Sequence, residues 1–107
     1  ENIQTCMLVE SQIDALTAWG YGFPCCATMG RPSPNQIKLI NNSGIRVLYT
    51  MFDNDYWGEQ FTDIVNKSLR KDILVINVKI PFKNKKDIND LDKIEFYKCL
   101  ELSSNNI

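Results

Sequence analysis

The chain has 107 residues, of which 44% are apolar and 23% charged, a composition typical of one globular domain and too short for two. Its net charge of −1 excludes tight binding of DNA through phosphate contacts alone, because that mode of binding needs a basic face. No apolar run approaches the roughly 20 residues of a membrane helix, and the start of the chain lacks the pattern of a signal peptide, so we expect a cytoplasmic protein without membrane contact.

Hydrophobic spacing predicts the first strand and helix. The apolar run from Thr5 to Val9 is typical of a buried strand in a parallel sheet. Apolar residues at helical spacing follow Ser11, and they are Ile13, Leu16 and Trp19. This spacing predicts a helix from about Ser11 to residue 19, which Gly20 and Gly22 end.

A second strand and helix follow. Phe23 to Thr28 is another apolar run, and Gly30 comes soon after it. Ser33-Pro34-Asn35-Gln36 has the pattern of a capping box with proline at the first helical position. We therefore predict a helix from this box to about Asn41, closed by the turn that ends at Gly44.

The third and fourth strands flank another helix. Residues 45–52 form an apolar run that Asp53-Asn54-Asp55 breaks, and residues 73–80 form a run that Pro81 stops. Between them, apolar residues mark one face of a helix, and they are Trp57, Phe61, Ile64, Val65 and Leu69. The pattern again predicts strand, helix, strand.

The last predicted element is a helix that begins near Asp92, after a lysine-rich loop at residues 82–86. Its apolar residues at helical spacing are Leu91, Ile94, Tyr97 and Leu100. The tail at residues 103–106 is expected to fray. Strands that alternate with helices predict an α/β fold of the Rossmann-like, three-layer kind: a mostly parallel sheet of about four strands, with helices on both faces.

Acidic residues stand where the predicted strands end. Glu10 follows the first strand, Asp53 and Asp55 follow the third, and Asp87 lies beyond the fourth. Because the carboxyl ends of parallel strands meet at one edge of a sheet, we expect these acids to gather there, with Asp14 as a further member. Crowded carboxylates repel one another, and a hard divalent cation removes that penalty. The sequence therefore predicts a site for Mg²⁺ or Mn²⁺.

Each of these residues also has a plainer interpretation. Glu10 alone can be a charge at a strand end, and Asp53-Asn54-Asp55 is ordinary turn chemistry. Asp14 in the first turn of a helix favours the positive end of the helix dipole. The lysines at 83, 85 and 86 suit a solvated loop. The metal prediction therefore depends on the joint order and spacing of the acids.

That joint pattern resembles the Toprim family, found in bacterial-type primases, topoisomerases, old-type nucleases and recombination-repair proteins. The family has a Glu at the end of the first strand and a later Asp-x-Asp followed by Gly, which are here Glu10, Asp53-Asn54-Asp55 and Gly58. Ala27-Thr28-Met29-Gly30 is similar to the family's glycine turn. Lys86-Asp87-Ile88-Asn89-Asp90 resembles the lysine–aspartate motif of the primase branch, notably of phage and plasmid primase-helicases.

The resemblance implies a role for each matched residue. It implies that Glu10 is the catalytic general acid or base and that Asp53 and Asp55 hold Mg²⁺. The implied supporting positions are Asp14, Gly30, Gly58, Lys86 and Asp87. The implied activity is phosphodiester chemistry on nucleic acid, and in the primase branch it is the synthesis of RNA primers from nucleoside triphosphates on a DNA template during replication.

The resemblance also implies partners. Primases of this branch lead us to expect a zinc-binding domain and a helicase in the parent protein. The chain has no initiator Met, so we expect residues 1–107 to be a single Toprim domain taken from a longer protein. Because so little basic surface is present, we expect weak activity, or none, from the domain alone.

Three positions depart from the family's pattern. Ser11 stands where many primase-like members have Gly after the Glu. Trp57 and Glu59 stand where many have a small residue and a basic residue. Glu59 removes a phosphate contact, and Trp57 narrows the site or packs against a neighbouring domain, so nucleotide affinity is expected to differ from that of the family.

Four other functions are alternatives to that of a primase, and each would need particular features. A Toprim-type nuclease would use the same acids, and a catalytically inactive nucleic-acid-binding module would show no saturable effect of metal. A topoisomerase would need a nucleophilic Tyr on a further domain. A response-regulator receiver has paired acids after the first strand and a single Asp after the third, the reverse of this order.

The cysteines argue against a zinc site within this chain. Cys6, Cys25, Cys26 and Cys99 form no C-x-x-C pair, and the chain has no His. We expect them to be buried, reduced thiols.

Overall fold

The computed structural model describes residues 4–104 of the chain. Four strands form one sheet in the order β2-β1-β3-β4, and every neighbouring pair is parallel. The strands are β1 (Thr5–Val9), β2 (Cys25–Ala27), β3 (Val47–Thr50) and β4 (Leu74–Asn77). The predicted parallel α/β fold is confirmed.

Helices cover both faces of the sheet. They are α1 (Gln12–Gly20), α2 (Pro34–Asn41), α3 (Tyr56–Ser68) and α4 (Lys93–Ser104). A short 3₁₀ helix, Ile88–Asp90, precedes α4 and is an element that the sequence patterns did not predict.

Two apolar cores lie on either side of the sheet. Met7 and Val9 of β1 pack with Phe96 of α4 in one core, which also contains the buried alanines of α1. Cys6 and Leu8 of β1 face the opposite way, into the core that α2 and α3 cover. Because successive side chains of a strand point to opposite faces, the central strand β1 supplies both cores. The fold therefore has three layers.

The predicted helix starts agree with the structure. The Ser11 hydroxyl accepts a hydrogen bond from the Asp14 amide and caps α1. At α2, the Ser33 hydroxyl accepts from the Gln36 amide while the Gln36 side chain accepts from the Ser33 amide, so the capping box is confirmed. These bonds satisfy amides that have no partner inside the helix.

The strands are shorter than the apolar runs that predicted them. The β3–β4 ladder ends where Thr50 pairs with Asn77, although the apolar residues continue beyond it. Met51 and Phe52 after β3, and Val78 and Ile80 after β4, are buried. Burial thus extends past the hydrogen-bonded ladder, so hydrophobicity alone overestimates strand length.

The face of α1 that meets the sheet is not the one that carries the largest apolar residues. Ile13, Leu16 and Trp19 have the predicted helical spacing but are 61%, 63% and 52% exposed, whereas Ala15 and Ala18 are buried. Small alanines let the helix approach the sheet closely. The Trp19 indole N–H donates to the Cys25 carbonyl at 2.8 Å, which covers part of the edge strand β2.

Two further expectations need correction. Ser103 and Ser104 lie within α4 and are not frayed, while positions 105 and 106 lie outside the described residues. Cys6, Cys25 and Cys99 are buried free thiols as expected, but Cys26 on the edge strand is exposed. Among the described residues, no helix is both long enough and apolar enough to cross a bilayer.

Candidate metal centre

Glu10 lies directly after the central strand β1 and forms hydrogen bonds with the segments that follow the two neighbouring strands. Its Oε1 atom accepts a hydrogen bond from the Asp53 amide at 3.0 Å. Its carbonyl accepts from the Met29 amide at 2.8 Å. Glu10 is therefore held between the turn after β2 and the segment after β3, at the carboxyl edge of the sheet.

The turn after β2 explains the glycine at position 30. Met29 has φ of 59° and Gly30 has φ of 110°, so both occupy conformations that favour glycine. The Thr28 hydroxyl donates to the Gly30 carbonyl at 2.7 Å, which closes the turn. Gly30 thus shapes a turn in which the Met29 amide reaches the Glu10 carbonyl, while its supporting role at the site stays a prediction.

Three aspartates from three separate segments converge near Glu10. Asp14, Asp53 and Asp87 each offer a carboxylate oxygen, and these atoms lie within 4.8 Å of one another. Asp14 is buried in the first turn of α1, where it accepts a hydrogen bond from the Asn89 amide at 3.2 Å. Asp87 caps the 3₁₀ helix by accepting from the Asp90 amide. We call Asp14, Asp53 and Asp87 the aspartate cluster.

Asp55, the second aspartate of the predicted metal pair, is placed differently. It is exposed and is the N-cap of α3, with its Oδ1 atom accepting from the Gly58 amide at 2.9 Å. Asp55 is thus only two residues from Asp53 in the sequence, but its carboxylate caps α3. Of the predicted pair, Asp53 lies in the aspartate cluster, whereas Asp55 lies outside it and its negative charge helps to raise the pKa of Glu10.

Gly58 fixes the distance between α3 and Asp53. A Cβ atom at position 58 would lie 1.8 Å from the Asp53 carbonyl oxygen and 2.9 Å from its carbonyl carbon. Only glycine permits this approach, because neither backbone atom can move aside without displacing Asp53. The first turn of α3 therefore holds Asp53 in place.

The lysine–aspartate segment lies against the Asp-x-Asp turn. The Lys86 carbonyl accepts from the Asn54 amide at 2.7 Å, and the Lys86 amide donates to Asp90 at 2.9 Å. The Lys86 side chain is exposed, and no bond from its ammonium to another described residue is seen. Lys85, in contrast, forms an ion pair with Glu95 at 3.3 Å. Of these two neighbouring lysines, Lys86 is thus the one whose ammonium forms no ion pair with another described residue.

Burial and mutual repulsion shift the protonation of these acids. Burial, followed by the negative charge of Glu10, raises the pKa of Asp53 to about 7 from its ordinary 3.8. Burial also raises the pKa of Glu10, although the hydrogen bond from the Asp53 amide opposes the rise. For Asp14, burial and then the charge of Asp87 raise the pKa.

The donor set suits a hard cation. Carboxylate oxygens are the ligands that Mg²⁺ and Mn²⁺ prefer, and Mg²⁺ usually takes one or two carboxylates together with water and phosphate oxygens. The aspartate cluster offers three such oxygens within 4.8 Å, and the Glu10 carboxylate contacts the backbone of one of its members. A divalent cation there would offset the repulsion that raises the pKa of Asp53.

A polar cavity of about 320 Å³ lies beside Asp53, between α3 and the segment after β4. The sequence patterns drew attention to Asp53 and Gly58 but missed the polar residues that complete this cavity. These include Thr62, Asn66, Asn77 and Lys79. The available signal was that Asn77 ends β4 at the same sheet edge.

Fold and site together define a class: a parallel α/β domain with crowded carboxylates at the carboxyl edge of its sheet. Comparison of the sequence with protein families matches residues 7–92 to the Toprim-like family. The chain belongs to the Toprim-like family. A search of curated protein sequences finds no match.

A solved structure has the same fold. The primase fragment of the bacteriophage T7 primase-helicase protein superposes with a TM-score of 0.74 at 17% sequence identity, over 94% of this chain. The matched region spans 44% of the length of that fragment. At this identity, the likeness concerns the fold.

Proposed function

We propose that the domain binds a divalent cation, Mg²⁺ or Mn²⁺, and performs phosphodiester chemistry on nucleic acid as the catalytic module of a DNA primase. The observation that carries the proposal is the aspartate cluster, in which three carboxylates from distant segments lie within 4.8 Å of one another. Crowding of like charges destabilises a fold unless something compensates for it, and a bound cation is the simplest compensation.

The residues divide into ligands, a proton carrier and a phosphate contact. Asp53 is the central ligand, with Asp14 and Asp87 beside it, and Asp55 joins if it releases the α3 cap. Glu10 is the general acid or base, and its raised pKa brings it closer to the pH at which a proton can be exchanged. Lys86 contacts phosphate. When bound, the cation neutralises phosphate charge and activates the attacking oxygen.

Two features favour the primase branch. The Lys86–Asp90 segment has the lysine–aspartate motif and lies against the Asp-x-Asp turn. The fold matches that of the primase fragment of the bacteriophage T7 primase-helicase protein. In this proposal the substrates are a DNA template and nucleoside triphosphates, and the cytoplasmic parent protein also carries zinc-binding and helicase domains.

Metal binding is the first test. Mn²⁺ binding, followed by electron paramagnetic resonance of the free ion, should be saturable in the wild type and lost in Asp53→Ala. Asp55→Ala should also weaken it, and the double variant should bind no metal at this site. Glu101→Ala, which removes an exposed acid of α4, is the matched control. Full metal affinity in the double variant would refute the assignment.

The reaction class is tested with the same proteins. The chain is incubated with single-stranded DNA, labelled nucleoside triphosphates and Mg²⁺. Labelled primers that disappear in Glu10→Gln support the primase, whereas shortened DNA supports the alternative Toprim-type nuclease. The absence of both products, together with no saturable effect of metal, supports the other alternative, a catalytically inactive nucleic-acid-binding module. An assay with the parent protein then separates an inactive module from a domain that needs its neighbours.

A further inference from the structure

Two aromatic side chains are exposed at the start of α3, immediately after Asp55. Tyr56 is 63% exposed and Trp57 is 62% exposed. Their ring centroids are 5.2 Å apart at an interplanar angle of 78°, an edge-to-face contact. Such a contact leaves both faces of at least one ring free of the other. Neither ring is part of an apolar core, so packing in the cores does not explain why aromatic residues stand at these positions.

The aromatic pair is rigidly placed with respect to the candidate metal centre. Residues 56 and 57 lie between the Asp55 cap and Gly58, whose backbone packs against the Asp53 carbonyl. The first turn of α3 therefore cannot shift without moving Asp53. One helical turn rises about 5.4 Å, so the backbone of both residues lies within a few ångströms of the Asp-x-Asp turn. This separation suits a nucleotide whose phosphate is at the metal.

We infer that Tyr56 and Trp57 form a stacking surface for the bases of single-stranded nucleic acid, whose phosphates are held at the aspartate cluster through the cation. The inference rests on the proposed function and adds the two residues that hold the bases of the strand. Aromatic rings stack on any base, because every base has a π face. A stack of this kind gives affinity without sequence preference.

The charge of the domain predicts how such a strand would bind. With a net charge of −1, the domain offers few phosphate contacts, so stacking would supply a large share of the affinity. The acids next to the pair repel phosphate until a cation is bound. Binding of a strand should therefore need Mg²⁺ and should depend less steeply on salt than binding that uses many phosphate contacts.

The test measures the affinity of a fluorescein-labelled oligothymidylate by anisotropy, with Mg²⁺ present. Tyr56→Ala and Trp57→Ala should each weaken binding by about 5- to 150-fold, the usual effect of losing one stacked base. Trp57→Phe, which keeps a ring, should recover most of the affinity. Ile94→Ala is the matched control, because it removes an apolar side chain that is 81% exposed on α4.

An abasic strand of the same length and charge isolates stacking from phosphate contacts. Wild-type protein should bind it more weakly than oligothymidylate, whereas Trp57→Ala should bind the two strands with nearly equal affinity. Fluorescence of Trp57, observed in a Trp19→Phe background, should be quenched by oligothymidylate and much less by the abasic strand. The chain has two tryptophans, so this background leaves one reporter.

Metal titration of the same variants separates this inference from the proposed function. Tyr56→Ala and Trp57→Ala should bind Mn²⁺ like the wild type. If they do and their affinity for oligothymidylate is unchanged, the stacking inference is overturned while the metal site stands. If the wild type binds metal but no strand, the inference is also overturned, and a protein partner becomes the better occupant. If Asp53→Ala retains metal binding, the proposed function itself fails.

Discussion

Replacing Asp53 with Asn should stabilise the metal-free domain, and the gain should grow as the pH rises from 5 to about 7 and then stay nearly constant to pH 8. Burial and the negative charges around Asp53 raise its pKa to about 7, from an ordinary value of 3.8. Between pH values of about 4 and 7 the folded state keeps a proton that the unfolded state releases, so the wild type loses stability as pH increases through this interval, and the loss levels off above it. Asn carries no charge at either pH and removes this loss.

The pKa values set the size of the effect. A pKa difference of about 3 between the folded and unfolded states corresponds to at most about 4 kcal/mol of unfolding free energy. Asp53 is partly exposed, and screening by solvent reduces this to roughly 1–2 kcal/mol. A gain of that size raises the Tm of a domain this small by roughly 5–10 °C.

Thermal unfolding followed by circular dichroism, at pH 5, 6, 7 and 8 with a chelator present, measures the gain directly. Glu101→Gln removes one exposed acid of α4 and should leave the pH dependence of the wild type unchanged. Added Mg²⁺ should raise the Tm of the wild type at pH 8 and leave that of Asp53→Asn nearly unchanged. An equal gain in Tm at pH 5 and pH 8 would show that the pKa of Asp53 is not raised in the folded state.

Three further substitutions test the parts of the site. Gly58→Ala should lower the free energy of unfolding by roughly 2–4 kcal/mol in urea, because its Cβ meets the Asp53 backbone, whereas Gly20→Ala, with open space around it, should be neutral or stabilising. Asp55→Ala removes the α3 cap and should lower the free energy of unfolding by about 1 kcal/mol at pH 5. At pH 8 the decrease should be smaller, because the substitution also removes a charge that repels the neighbouring acids. An equal decrease at the two pH values would contradict this. Lys86→Ala should weaken binding of the nucleic-acid strand without changing Tm. Lys85→Ala should lower Tm slightly, because it removes the ion pair with Glu95. The reverse result would make Lys85 the phosphate contact and Lys86 the stabilising residue.

Local chemistry explains what the sequence alone could specify. The α2 capping box, the Ser11 cap and the alternation of strands with helices depend on neighbours within a few residues, so their patterns predicted the elements correctly. The parallel direction of the strands also followed, because a helix between consecutive strands lets them run the same way, whereas the order β2-β1-β3-β4 came only from the structure. The sequence therefore predicted that the acids at strand ends lie at one edge of the sheet.

Other features depend on contacts between distant segments. The face of α1 that carries Ala15 and Ala18 meets the sheet, while Leu16 stays exposed. No local sequence pattern predicts this, because the orientation of α1 depends on the space that β1 and α4 leave for it. Likewise, both Asp53 and Asp55 carry the motif, but packing of Gly58 on the Asp53 backbone sends one carboxylate toward the aspartate cluster and leaves the other as a helix cap. Sequence spacing limits which residues can meet, and the packed backbone then selects which atoms do.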